Sequence, residues 1–527
     1  MLSGRPNSDC PLVMPHLQGE VAGDLGVEAV GGDPSPPSYM MGRVLLLVVA
    51  LATLLALCAA APTDNRQRRR PTFDWMLRKL RPPQVTSRAG IEQQWFEQVL
   101  DHFDSTNTAT WNQLYYRSGE YYRPGGPVFL FISGESEASD TWLAGGYMFD
   151  LAVQHGAYMY ELEHRFYGSS RPTPDTSAAN LRYLNSTQAL EDLASFIRQQ
   201  RQENPQLGAA KWVVFGGSYA GNLAAWARLR YPDIIDGAVA SSGPVLAQAN
   251  FPEYLEVVTE SMQTFDSECV SAVAEATQEF EQLLQSDGGV SAINELFGLC
   301  SPLDVSQEYD VAGLSSFAIS AFSGAAQYNS VSRIGSSTVE QYCEELRSAS
   351  GNSALERLAN FLGFDDAGSC VDPDYEASIE YYLSTEWSSD ITRQWLWQTC
   401  TEFGYYQTTD SANQPFGNRM TLPYFTDMCA ILYGSEYTAE RVEEGVKNAN
   451  LLYGGRNPDV TNVAFVNGGL DPWHALGVLE DINESSPAII IEYQSHCSDL
   501  YSPSLLDIPQ LTAARERIAQ LVAQWIS

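Results

Sequence analysis

The stretch KWVVFGGSYAGNLAAWARLRYP, residues 211–232, constrains this chain more than any other. Trp212-Val213-Val214-Phe215 is an apolar run of strand length. Two glycines, one serine and a helix-forming segment follow without a break. A parallel strand that runs straight into a helix leaves the turn residue at the carboxyl edge of its sheet. The side chain there stands clear of the backbone, beside the first N–H groups of the helix. Gly216 and Gly217 remove side chains that would block so sharp a bend, and Ala220 and Gly221 do the same on the helix side. Ser218 is therefore a hydroxyl held out at a sheet edge.

The flanking sequence alternates strand-like and helical runs. Residues 127–132 (PVFLFI) are apolar and end in Ser133-Gly134-Glu135-Ser136; residues 157–163 (AYMYELE) form a second such run. Residues 186–199 have helical spacing, with Leu190, Leu193, Phe196 and Ile197 on one face, and 235–241 read as another strand. This alternation implies a parallel sheet covered by helices on both faces. From about 250 to 375 the character changes to long amphipathic stretches, clearest at 270–285, with four cysteines. A sheet-like pattern returns at 394–403, 463–466 and 488–493, and an amphipathic helix is expected over 511–526. The fold expected is α/β, an α/β-hydrolase with an inserted, mainly helical, disulfide-containing cap. Its hydrolase parts are read at 91–250 and 376–527, with the cap at 251–375.

In that fold the bend is a nucleophile elbow. The backbone N–H of Tyr219 is one expected oxyanion donor, and Gly134 or Glu135 supplies the second. The motif departs from G-x-S-x-G, since Ala220 stands where the last glycine belongs. A serine hydroxyl needs a base, and the base needs a carboxylate; the chain order here is Ser, acid, His. The histidines are 16, 102, 155, 164, 474 and 496, and order removes the first four. His496 follows the 488–493 run and Asp471 follows 463–466, so both lie at strand ends. His474 is a weaker candidate on the same loop as Asp471. A plainer reading makes Asp471 a helix cap and His496 a surface histidine.

Charge and leader narrow the setting. The net charge of -35 argues against nucleic-acid binding. It suits secretion or an acidic compartment, although solubility alone also explains it. Residues 43–62 (RVLLLVVALATLLALCAAAP) read as a cleaved signal peptide ending near Ala59 to Ala61, with a signal anchor as the rival. Arg66, Arg68, Arg69 and Arg70 follow the segment and disfavour an inward tail before it. Met40 or Met41 is a candidate start, with 1–61 as extension and signal. Residues 62–90, rich in Arg and Pro, read as a loose propeptide or linker. Arg66-Gln67-Arg68-Arg69 is like a proprotein-convertase site, and Pro71 disfavours cutting after Arg70. Seven cysteines follow the signal, so disulfides are expected with one thiol left over. No CxxC pair or His/Cys cluster suggests a metal. Asn185 and Asn483 head glycosylation triplets.

Several motifs recur together and in order: Leu100-Asp101-His102-Phe103-Asp104, Glu163-His164-Arg165-Phe166-Tyr167-Gly168, residues 216–221, Gln398-Thr399-Cys400-Thr401-Glu402, Leu470-Asp471-Pro472-Trp473 and Ser495-His496. From about Gln94 to the end the chain resembles the serine peptidase family of lysosomal prolylcarboxypeptidase, dipeptidyl peptidase II and thymus-specific serine protease. GGSYAGNLAAWARL, QTCTEFGYYQT and SHCSDL are most like the thymus-specific members. The resemblance implies Ser218, Asp471 and His496 as the triad, and disulfides Cys269–Cys343, Cys300–Cys370 and Cys400–Cys429. It leaves Cys497 as the odd thiol, where prolyl-cleaving relatives have a second histidine. It implies cleavage after proline from one chain end, with Trp473 in the S1 wall. Asn222 stands where the prolyl-cleaving relative has an S1 methionine, which puts proline preference in doubt. Glu402 is read either as facing the cleft, where it would meet a substrate amine, or as a buried structural carboxylate. The Glu163-His164-Arg165 loop reads as scaffold first.

These readings add up to a secreted or endolysosomal serine exopeptidase acting on peptides, with no metal or organic cofactor and no nucleic-acid partner. A homodimer is left open. The rivals are an esterase or lipase on the same fold and a catalytically inactive peptide-binding protein.

Overall fold

The computed structural model describes residues 66–73, 76–77, 79–331, 337–364, 366 and 368–527. The leader read at 43–62 lies outside the described residues. Arg66–Ser527 form one compact unit.

The main sheet has eight strands: β1 (Ile91–Val99), β2 (Thr110–Ser118), β3 (Val128–Ile132), β4 (Tyr158–Leu162), β5 (Trp212–Gly217), β6 (Gly237–Ser241), β7 (Val463–Gly468) and β8 (Ala488–Ile491). Their spatial order is β8-β7-β6-β5-β3-β4-β2-β1. The β1–β2 and β2–β4 pairs are antiparallel and the others parallel. This order, with the elbow after β5, is the α/β-hydrolase fold. Strands β3, β5, β6 and β7 are buried along their whole length, which is why they read as unbroken apolar runs.

Helices α1 (Tyr147–His155), α2 (Ser186–Glu203) and α3 (Tyr219–Arg230) connect the strands. Between β6 and β7 lie α4 (Glu253–Phe265), α5 (Ser267–Leu284), α6 (Gly289–Leu296), α7 (Glu308–Gln327), α8 (Thr338–Ser348) and α9 (Ala354–Phe361). Helix α10 (Pro509–Trp525) closes the chain. Successive strand residues point to opposite faces. Val128, Leu130 and Val214 pack with α2, α3 and the inserted helices, while Phe129, Phe131 and Val213 pack with α1 and α10.

The inserted helices begin with local chemistry. Ser337 Oγ accepts the Glu340 amide at 3.3 Å, and Ser353 Oγ accepts that of Glu356 at 3.2 Å. Cys269–Cys343 ties α5 to α8, and Cys300–Cys370 ties the loop after α6 to the short strand Ser369–Val371. Cys400–Cys429 lies beyond the insertion. All three bonds match the expected pairs.

Two readings need correction. Residues 394–403 are not a strand: Thr392–Gln398 is helical and Thr399–Phe403 continues it as a wider turn. Residues 391–400 are buried throughout, so no polar face marked the helical period. The 62–90 segment is not loose over its first described part. Gln67–Arg69 pairs in parallel with Ser369–Val371, and Phe73, Met76 and Leu77 are buried. Its apolar residues find a surface far along the chain.

Candidate active site

Ser218 holds φ 60° and ψ −132°, a conformation that costs a non-glycine residue roughly 1–3 kcal/mol. Its amide donates to Ser241 O at 3.0 Å, and its carbonyl accepts the Gly221 amide at 2.8 Å. The tight packing explains the glycines. A Cβ on Gly216 would collide with Ala220 O, and one on Gly221 would lie 2.7 Å from Ser241 O. The departure at Ala220 is matched from across the site. Gly134 faces Ala220, and a Cβ on Gly134 would lie 3.2 Å from that of Ala220.

Strands β7 and β8 bring the other two candidates together. Their last residues, Gly468 and Ile491, are paired in register. Asp471 Oδ1 accepts the Trp473 amide at 3.0 Å, and Oδ2 lies 2.8 Å from His496 Nδ1. Asp471 thus caps the turn Pro472–Leu476 and meets the imidazole at once. His496 is buried rather than a surface residue, and its Nε2 has no hydrogen-bond partner among the described residues. Burial opposes a charged ring, but Asp471 and then Cys497 together outweigh it and raise the His496 pKa well above the ordinary value. His474 turns to the Asp471 carbonyl, 2.7 Å from Nδ1, not to its carboxylate.

Cys497 joins the histidine loop to the elbow. Its amide donates to Ser242 Oγ at 2.9 Å, and its free, buried thiol lies where a Cβ on Gly217 would meet it at 2.9 Å. The insertion presses on the same loop. The His496 amide donates to Gln327 O at 3.0 Å, and Ser495 Oγ donates to Asn329 O at 2.8 Å.

The loop after β3 is braced by two carboxyls from the β4 edge. Glu161 accepts Ser133 Oγ at 3.0 Å and the Ser139 amide at 2.9 Å; Glu163 accepts the amides of Ala138 at 3.1 Å and Ser169 at 3.0 Å. Burial lifts their pKa values to about 8 and about 7. Glu135 is buried beside Ser218. Burial raises its carboxyl, and its own backbone amide, the charge of His496 and the Ser218 hydroxyl, in that order, partly offset the rise. Tyr219 opens α3, where an amide has no partner within the helix.

Trp473, Tyr405, Trp395 and Pro244 wall the cleft at Ser218. The Trp473 ring stands edge-on to Tyr405 at 5.5 Å and to Tyr254 at 5.4 Å. Asn222, expected at the cleft, and Glu402, read either as facing it or as a buried structural carboxylate, both lie away from it. Asn222 is fully buried behind the wall, donating to Pro244 O at 3.1 Å and to the Tyr405 hydroxyl at 3.3 Å. Glu402 faces the start of α2, accepting Ser186 Oγ at 2.6 Å and the Ser186 amide at 3.0 Å. Burial raises its pKa to about 7, and the hydrogen bonds from Ser186 at the start of the helix partly offset the rise.

His164 sits in the scaffold. Its Nε2 lies 3.2 Å from the Tyr219 hydroxyl, and burial lowers its pKa to about 4. Arg165 beside it grips Asp192 at 2.6 and 2.7 Å. Asn185 and Asn483 both engage backbone carbonyls through their side-chain nitrogens, at 3.1 and 2.8 Å. Sequence reading missed the Glu135 side chain, Tyr405, Trp395 and Gln327, which come from four separate regions with no shared spacing. It also missed Met76 and Leu77, which line the cleft. Their signal was an apolar pair inside a basic, proline-rich run.

The family model described as "Serine carboxypeptidase S28" matches residues 98–518. A "putative serine protease" of Caenorhabditis elegans is 36% identical over 514 residues, covering 92% of this chain and 99% of that protein. Thymus-specific serine protease of Mus musculus is 35% identical, covering 82% of this chain and 87% of its own. Lysosomal Pro-X carboxypeptidase of Homo sapiens is 27% identical, covering 82% and 88%.

Proposed function

From the premise that this chain belongs to the serine carboxypeptidase S28 family, we propose that it is an exopeptidase working through Ser218, Asp471 and His496. Ser218 Oγ attacks the peptide carbonyl once its hydroxyl turns from Glu135 to His496 Nε2. The imidazole takes the proton and then gives it to the leaving amine. Asp471 holds the tautomer and stabilises the cation. The Tyr219 amide and an amide at Gly134 or Glu135 hold the oxyanion. Water then attacks the acyl-enzyme by the same route in reverse. The observation that carries this reading is the 2.8 Å contact between Asp471 and His496, which leaves Nε2 without a partner among the described residues, on a loop whose next residue, Cys497, packs against Gly217.

The flat walls of Trp473 and Tyr405 suit a pyrrolidine ring, and one relative's name specifies Pro-X bonds. Cleavage after proline is the specificity this supports. A route through the secretory pathway fits the three disulfides and the lysosomal relative. A fluorophosphonate probe tests the nucleophile: it labels Ser218, and Ser218→Ala abolishes labelling. Labelling that survives the substitution overturns the assignment. Profiling a peptide library then reads the residue preferred before the cut. Turnover of long-chain acyl esters with no peptide cleavage would favour the esterase reading.

A further inference from the structure

The segment before β1 is built onto both halves of the molecule. Arg68 Nη1 and Arg70 Nε each reach Asp372 Oδ2 at 3.1 Å, and Arg69 donates to the carbonyls of Gly363 and Leu362 at 2.8 and 3.0 Å. Phe73 is 2% exposed among the rings of Tyr375, Tyr382 and Tyr424. Met76 and Leu77, 3% and 8% exposed, line the cleft with Ser218 and Trp473. Leu80 then reaches Gly217, and the Tyr501 hydroxyl donates to Arg81 O at 2.7 Å. The described residues of this segment therefore touch the insertion, the cleft at Ser218 and the sheet edge in turn. A peptide side chain entering the cleft at Ser218 needs the volume that Met76 and Leu77 fill.

The exit from this strap differs from the strap itself. Residues 86–90 are exposed, and Ile91 then begins β1. Two basic residues stand between Leu80 and β1. Arg81 is followed by Pro82, which arginine-directed proteases disfavour, and Arg88 by Ala89. The Arg88 side chain is 59% exposed and held by an ion pair to Asp140 at 2.8 Å, worth roughly 0–1 kcal/mol at such a site.

We propose that the described residues between Arg66 and Arg88 form an intramolecular inhibitor seated on Ser218, and that cutting the Arg88–Ala89 bond by an arginine-directed endopeptidase releases it. The cut is a hydrolysis: water gives its hydroxyl to the Arg88 carbonyl and a proton to the Ala89 nitrogen. Covalent attachment keeps the strap at an effective concentration of about millimolar. After the cut it must hold by its own contacts, of which the ion pairs of Arg68 and Arg88 are exposed, and dilution removes it. The inference rests on Ser218 as the nucleophile, and its test separates the two.

The full chain is treated with limiting trypsin, and fluorophosphonate labelling of Ser218 is timed. Cleavage after Arg88 should speed labelling roughly tenfold or more. Arg88→Gln should stay slow under the same treatment. Leu77→Asp, or Met76→Asp if the first misfolds, should speed labelling with no cut. Hydrogen exchange in the Ser218→Ala chain should show protection at Met76 and Leu77, lost in the Leu77→Asp form. Equal labelling before and after the cut overturns the proposal, as does unchanged labelling in both aspartate variants. If no form labels, the nucleophile assignment falls, and exchange alone decides whether the strap covers the cleft: unprotected amides at 76 and 77 refute it.

Discussion

The sheet and the helical insertion contribute to one site by different physics. The sheet places side chains by topology. Ser218, Asp471 and His496 all follow parallel strands, and β5, β6, β7 and β8 are consecutive neighbours in space. Their positions depend on buried apolar runs with no polar alternative. The insertion places almost no chemistry. It contributes Gln327 and Asn329 carbonyls to the histidine loop, and Asp372 to the strap. Its geometry is held by capped helices and by disulfides that bridge 74 and 70 residues. The comparison teaches that reaction geometry and access to it are built separately, and each can be perturbed without the other.

That separation breaks first at Ser218. Ser218→Ala should lower peptide cleavage by about 10³-fold or more while moving the melting temperature only a few degrees, read by steady-state assay and calorimetry. Substantial remaining activity refutes the sheet-edge assignment. On the other side, replacing both Cys269 and Cys343 by alanine should cost about 4 kcal/mol in chemical denaturation, since the bond closes a long loop. The loss should fall on the insertion, seen as faster hydrogen exchange in α5 and α8 with β5 and β7 still protected. Equal loss in the sheet would make the two regions one cooperative body.

Smaller effects sharpen the same contrast. Trp473→Ala should lower kcat/KM by roughly 10–100-fold for apolar residues before the cut and less for small ones. A uniform loss would mean that Trp473 positions Asp471 rather than walls the pocket. Glu161 and Glu163 give the sheet a pH signature. Their folded pKa values, about 8 and about 7, lie above those of the unfolded chain. Between the ordinary glutamate value and these, the native state holds protons that the unfolded chain releases. Stability therefore falls as pH rises through that window, by on the order of a few kcal/mol. Melting at about pH 5 should exceed that at about pH 8, and Glu161→Gln should flatten the difference; no change in slope refutes the sign. Last, Glu402→Gln should leave KM within about threefold and lower stability by roughly 1 kcal/mol, since the group meets the start of α2. A large KM change would return Glu402 to the cleft.

Much of the sheet half was legible because its signals are short-range. A strand, two glycines, a serine and a helix lie within one window of chain, and β3, β5 and β7 were apolar over strand length. Asp471 and His496 could be nominated from chain order and strand ends. The 394–403 run misled because a segment buried on every side carries no period. Asn222 misled, and Glu402 stayed open between two readings, for another reason. Their neighbours in sequence lie near the site, yet their partners are the cleft's back wall and Ser186, 216 residues away from Glu402.

By itself, the sequence determined the elbow, the parallel sheet, the helical character of the insertion and the types of residue available for the chemistry. These follow from turn sterics and hydrophobic periodicity, which act between near neighbours in the chain. Only the tertiary structure decided that Asp471 caps its turn and meets His496 with one carboxylate, that Glu135 borders Ser218, and that Met76 and Leu77 lie in the cleft. Those facts depend on contacts between distant segments, where the burial of one surface selects its partner and no local pattern records the choice.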